Sequence, residues 1–197
     1  MKNNTEELLI RYEALKSLVV SDRSDSFAEL MKYVEMKTSF LTAPASTKYH
    51  LCEENGLLRH SVGVAETLLL LRDTLAPDAA TDESCVIVGL LHDLGKAGYP
   101  GNPLYFKRDP SPKQAAAGFD AWPPYEYNKD MIYMSVPLRS LYHVMQHLYL
   151  TPEEAQAIMY HDGQYVEDNR SVAAKEMPLT LLLQYADNWN GFVTERS

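Results

Sequence analysis

The apolar run from Cys85 to Leu91 stops on His92-Asp93-Leu94-Gly95-Lys96, and no other stretch constrains the chain as strongly. Such a run reads as a buried helix starting near Thr81, with Gly95 as the glycine just past its end. An imidazole and a carboxylate side by side offer a nitrogen and an oxygen ligand to one divalent ion. Lys96, one turn on, suits a phosphate. His60 shares the face of another helix with Leu57, Val64, Leu68 and Leu71, and Asp187 ends a third apolar helix. A lone histidine on an apolar stripe is more often a core residue with one hydrogen bond, and Asp187 alone could be exposed at a helix end. An ionised carboxylate on an apolar helix is costly unless a cation or strong donors meet it. One shared metal explains all three helices at once.

Most of the chain reads helical. Asn4 with Glu7 predicts a capping box and a helix to about Val20. Ser26 with Glu29 repeats the signal ahead of the stripe Phe27, Leu30, Met31 and Val34. Asn55-Gly56 is a turn before a helix over about Leu57 to Leu75. Thr151-Pro152-Glu153-Glu154 is a complete helix start, with a cap, a proline at N1 and a glutamate at N3; that helix reaches about Tyr160. The last helix is expected from Pro178 to Asp187. Residues 98–135 differ: they are rich in proline and hold Tyr99, Tyr105, Phe106, Phe119, Trp122, Tyr125, Tyr127 and Tyr133. A loop of that length is usually functional or disordered, and so many aromatics argue against disorder. Tyr125-Glu126-Tyr127 and Met131-Ile132-Tyr133 around Asn128-Lys129 read as a small hairpin.

The chain has 197 residues and a formal charge of −9, with a pI of about 5.1. The length suits one domain over 1–197, with 98–135 as a lid-like insertion. The acidic balance argues against long nucleic acid as a partner and leaves a single nucleotide open. Cys52 and Cys85 fit a reducing compartment better than a disulfide framework. The polar start and the shortness of Leu68–Leu71 argue against a signal peptide and a membrane span, so a cytoplasmic location is expected.

His60, His92-Asp93 and Asp187 together resemble the defining pattern of the HD-domain superfamily of metal-dependent phosphohydrolases. The stretch His50-Leu51-Cys52-Glu53-Glu54-Asn55-Gly56-Leu57-Leu58-Arg59-His60-Ser61 resembles that family's His-x(5)-Gly-Leu-x-x-His segment, and residues 92–96 match its His-Asp-[Leu/Ile]-Gly-Lys. The region from Leu150 to Ile158 with His161-Asp162-Gly163 is similar to the later segment that supplies a further histidine, and Tyr185-Ala186-Asp187-Asn188 to the closing Ala-Asp. The resemblance runs from about residue 45 to 190. It implies an all-α HD-domain helical bundle in which His60, His92, Asp93 and Asp187 hold one divalent metal (Mn, Fe, Co, Ni, Zn or Mg). It also implies that Asp93 orients the attacking water and that Lys96 neutralises phosphate charge.

Two positions depart from the two-metal members of that family. Val136 stands in Ser135-Val136-Pro137 where a ligating histidine is expected, and His161 is followed by Asp162 instead of a second histidine. The expectation is therefore a single-metal phosphohydrolase acting on a nucleotide or similar small phosphate ester, a phosphomonoesterase more than a phosphodiesterase. The alternatives are a metal- or nucleotide-binding sensor or scaffold with little turnover, and a helical interaction protein without metal. His50, His161 and Arg139 are weaker candidates for contacting substrate or supporting the ligands. His50 could instead cap the Asn55-Gly56 turn. Lys107, Arg108 and Lys113, like Arg139, could reach phosphates or be solvated surface. His143 and His147 are four apart on one helix but lie opposite Leu141, Val144, Met145 and Leu148, so they are expected in solvent.

Overall fold

The computed structural model describes residues 2–118 and 122–195; Phe119 and the side chain of Asn4 lie outside that description. Helix α1 (Lys2–Lys16) is followed by α2 (Ser24–Lys37), α3 (Gly56–Leu75) and α4 (Asp82–Leu91). A short strand β1 (Tyr105–Lys107), a one-turn helix α5 (Pro112–Ala116) and a strand β2 (Tyr125–Tyr127) interrupt the helices. Then come α6 (Val136–Val144), α7 (Pro152–Tyr160) and α8 (Pro178–Trp189). The fold is all-α apart from the antiparallel pair β1–β2. No helix among the described residues is long and apolar enough to cross a membrane.

Helices α3 and α4 form the centre. Leu57, Val64, Ala65 and Leu68 of α3 and Val86, Ile87, Leu90 and Leu91 of α4 are fully buried. Helix α8 packs on α3 and α7, and α6 packs on the turn after α4. The stripe Phe27, Leu30, Met31 and Val34 faces the same core, as its spacing predicts. At the start of α7 the Thr151 side chain accepts from the Glu154 amide, and Glu154 accepts from the Thr151 amide. Glu154 is fully buried, and the Arg23 guanidinium holds it at 2.8 and 2.9 Å while also contacting Glu83. This ties the start of α2 to α4 and α7.

Four local expectations are corrected. Helix α1 ends at Lys16, and Val19 reaches the core through two tight-turn hydrogen bonds after it. Asn4 lies inside α1. Helix α2 begins at Ser24 with Arg23 at the cap, because Arg23 is fixed there by Glu83 and Glu154; Ser26 sits within the first turn. Gly95 does not end α4: that helix stops at Leu91, and Gly95 lies in a 3-10 turn, Leu94–Ala97. A Cβ on Gly95 would stand 2.3 Å from the Val136 carbonyl oxygen, so the glycine is required by the approach of α6. Finally, β2 pairs with β1, Tyr105 opposite Tyr127 and Lys107 opposite Tyr125, and not with residues 131–133. Buried Leu104 and Tyr105 anchor β1 to the core, which gives β2 a fixed edge to pair with.

Candidate metal centre

His60 on α3, His92 and Asp93 just past α4, His161 at the end of α7 and Asp187 on α8 come together as two donor groups that share His92. His92 follows α4 without a break, its amide donating to the Val88 carbonyl. Asp93 then leaves the helix and starts the 3-10 turn. The buried Ser140 hydroxyl of α6 accepts from the Gly95 amide at 2.8 Å and donates to the His92 carbonyl at 2.7 Å, clasping this junction.

The outward nitrogen of each imidazole decides what the inward one presents. His92 Nδ1 lies 2.9 Å from the Gly89 carbonyl, and His161 Nδ1 lies 2.8 Å from the Ile158 carbonyl. A carbonyl only accepts, so both Nδ1 atoms carry hydrogen. His60 Nδ1 faces both oxygens of Glu195 at 3.1 Å. All three Nε2 atoms therefore point inward. His60 Nε2 is 3.3 Å from His92 Nε2 and 3.1 Å from Asp187 Oδ1. Asp93 Oδ2 lies 3.5 Å from His60 Nε2 and 3.6 Å from His92 Nε2, while Asp93 Oδ1 lies 3.5 Å from His161 Nε2.

These donors fit a divalent ion. Two ligands about 2.1 Å from one metal stand roughly 3.0–3.5 Å apart, the spacing seen here. Facing lone pairs beside two carboxylates favour a metal ion or a proton between them. The groups His60, His92, Asp187 and His92, Asp93, His161 could each hold an ion. His50, His60 and Glu195 form a third group, which competes with the first for the single His60 ring.

Protons meet the same demand in the metal-free protein. Burial alone would lower the His60 pKa, but hydrogen bonds to Asp187 and Glu195 carry it up to about 10. Burial of His161 is likewise outweighed, by Asp93 and Asp162, and its pKa rises to about 9. His92 is held at about 4, by burial and by its cationic neighbours. Burial opposes ionisation of Asp93, but Lys96 and the imidazoles hold its carboxyl well below the usual range. Asp187 is held low by His60 in the same way. Lys96 Nζ sits 2.5 Å from Asp93 Oδ2, and this carboxylate keeps the ammonium charged despite burial.

Two cavities open on the cluster. A cleft of about 210 Å³ lies between His50, His161, Asp187, Tyr165 and Phe192. A cavity of about 650 Å³ extends from Asp93 and Lys96 to Arg139, Met134 and Tyr133. A larger cleft of about 870 Å³, near Arg11, Lys48 and Arg59, reaches Glu195 but none of the inward-facing ligands. The cluster therefore opens on the two smaller spaces.

The weaker candidates divide. His50 stands beside the cluster, its Nε2 3.7 Å from Glu195 Oε2 and its ring 5.0 Å from that of His60. It does not cap the Asn55 turn, where the Asn55 amide reaches the Leu41 carbonyl. Arg139 is only 3% exposed and donates to the Gly95 and Met134 carbonyls, so it is not solvated surface. Lys107 and Lys113 are exposed, and Arg108 stacks 3.4 Å from the Trp122 ring centroid; none of the three lines either cavity. The expectation that His143 is solvated is overturned. Helix α6 turns His143 inward beneath Tyr33 and Tyr99, with Nδ1 3.1 Å from the Tyr33 hydroxyl, and leaves Met145 in solvent. His147, half-buried, packs on the Tyr33 ring, and neither histidine joins the cluster.

Glu195 and Ser140 are the residues the sequence does not reveal. Both act through contacts between segments far apart in the chain, and neither lies in a motif or on a ligand-bearing stripe. No family model, curated protein or solved structure matches the chain.

Proposed function

We propose that this chain is a metal-dependent phosphohydrolase of the HD-domain type, with one divalent ion held by His60, His92, Asp93 and Asp187. The observation that carries the reading is the convergence of inward Nε2 lone pairs and two carboxylates beside Lys96, at a junction where two cavities meet. The resemblance of residues 45–190 to that superfamily supports it. A bound ion would lower the pKa of a coordinated water and polarise a phosphoryl oxygen. The chain's own groups supply the rest. Lys96 neutralises charge on the phosphate. Asp93 directs one oxygen toward His60 and His92 and the other toward His161, 3.5 Å away, whose raised pKa of about 9 lets its Nε2 hold a proton. The 650 Å³ cavity is larger than a phosphate needs and suits the organic part of a nucleotide or similar small ester.

The test is phosphate release from a panel of nucleoside monophosphates and other phosphomonoesters after loading with Mn, Fe, Co, Ni, Zn or Mg. Metal-dependent turnover of about 1 per second or more, abolished in Asp93→Ala and strongly reduced in Lys96→Met, is expected. A second reading, a metal- or nucleotide-binding sensor, draws on Val136, which cannot ligate, at the wall of the larger cavity. Tight nucleotide binding without hydrolysis under every metal would favour it.

A further inference from the structure

We infer that Glu195 is the positioning carboxylate of the metal centre: it takes the Nδ1 hydrogen of His60 and so commits His60 Nε2 to the ion. The inference rests on the metal reading above and assigns a role outside the four ligands.

The geometry supports this step by step. Both Glu195 oxygens lie 3.1 Å from His60 Nδ1, and the pair is shielded, with His60 1% and the Glu195 side chain 7% exposed. His92 and His161 have backbone carbonyls behind them, whereas His60 has the Glu195 side chain. A carboxylate behind an imidazole fixes its tautomer and ring plane and raises its basicity toward a metal. The backbone is shaped to bring Glu195 there. Past α8 the chain widens into a π-helical turn, Asn190–Thr194, and the Glu195 amide closes it on the Asn190 carbonyl at 2.9 Å. Such widened turns recur at functional sites. The Asn190 side chain donates to Thr67 of α3 and to the Ala186 carbonyl, pinning the turn against α3. Space for it comes from Gly63, one turn beyond His60, where a Cβ would stand 2.8 Å from Asn190 Oδ1. The same carboxylate is 3.7 Å from His50 Nε2, so His50 borders the pair without displacing it.

Cobalt(II) titration of the full chain, followed by the visible absorption of the bound ion, tests this without reference to activity. Glu195→Ala is expected to weaken cobalt binding about 10–100-fold, with a lower melting temperature of the metal-free protein, which loses the His60–Glu195 pair. Glu195→Gln, whose amide oxygen still accepts from Nδ1–H, should recover part of that loss, and His50→Ala should bind as the wild type does. Unchanged affinity in Glu195→Ala would overturn the inference. So would loss of binding in His50→Ala with binding retained in Asp187→Ala, which would put the ion among His50, His60 and Glu195. Wild-type protein that binds no metal would remove the metal reading itself, a separate result. If Glu195→Ala fails to fold, nitrogen-15 NMR of the zinc-loaded wild type decides. A hydrogen on His60 Nδ1 with the metal-shifted nitrogen at Nε2 is expected, and the reverse assignment would refute the inference.

Discussion

Gly89 crosses Ala65 so closely that a Cβ on Gly89 would stand 2.6 Å from the Ala65 Cα. This contact sets the separation of α3 and α4, which carry His60 and lead into His92, and so sets the 3.3 Å approach of their Nε2 atoms. Gly89→Val would force the helices apart. The cost expected from overpacking is about 3 kcal/mol, read as a lower denaturant midpoint of the metal-free protein, together with weaker metal binding. Unchanged stability would mean the crossing relaxes freely.

Metal content per chain distinguishes the ligands from their neighbours. Asp93→Ala and Asp187→Ala are each expected to lose the ion from protein purified without chelator. His161→Ala should keep about one ion per chain, as a single-metal site requires, while phosphate release falls. Two ions in the wild type, with one lost in His161→Ala, would instead make His161 a ligand, with Asp93 bridging the pair.

The cluster makes stability depend on pH in opposite senses. His60 and His161 titrate near 10 and 9 in the folded metal-free protein, above the ordinary histidine value. Their contribution is fully present below about pH 6.5 and is lost as pH rises through 9 and 10. His92, held near 4, has the opposite sign: stability falls as pH drops from about 6.5 toward 4. The depressed carboxyls of Asp93 and Asp187 contribute above about pH 4 and lose that contribution as pH falls through their folded values. The metal-free protein should therefore be most stable near about pH 6.5, with a melting temperature that falls on either side.

Metal uptake must displace the His60 proton, so apparent affinity should climb from pH 6 to 10. Calorimetry in buffers of different ionisation enthalpy at pH 7.5 should register proton release. A binding heat independent of buffer would contradict the protonated state of His60.

Arg23→Met should be severely destabilising although Arg23 is far from the metal centre. It leaves Glu154, fully buried, and Glu83 without their shared guanidinium. Removing one member of a buried pair typically costs about 3–5 kcal/mol. Urea unfolding should show that loss, while the folded fraction still binds metal; a shift under about 1 kcal/mol, the scale of a surface pair, would mean water reaches Glu154.

The sequence by itself determined where most of the helices lie, though not all of their ends, and singled out the four residues His60, His92, Asp93 and Asp187. Periodic apolar spacing and the Thr151-Pro152-Glu153-Glu154 start are local signals, and the helix they announce spans Pro152–Tyr160 as read. His60, His92, Asp93 and Asp187 were legible because polar groups on apolar helices must face a partner, and the structure brings each of the two imidazoles within 4 Å of the other and of both carboxylates. Tertiary structure alone decided the rest. Burial of His143 depends on how α6 rotates against Tyr33 and Tyr99, and the partner of β2 depends on where Leu104 and Tyr105 anchor β1. Glu195 reaches His60 across 135 residues of chain, and Ser140 reaches His92 across 48. Such contacts arise only when separate segments are packed together, and a single hydroxyl or carboxylate leaves no periodic trace in the chain that supplies it.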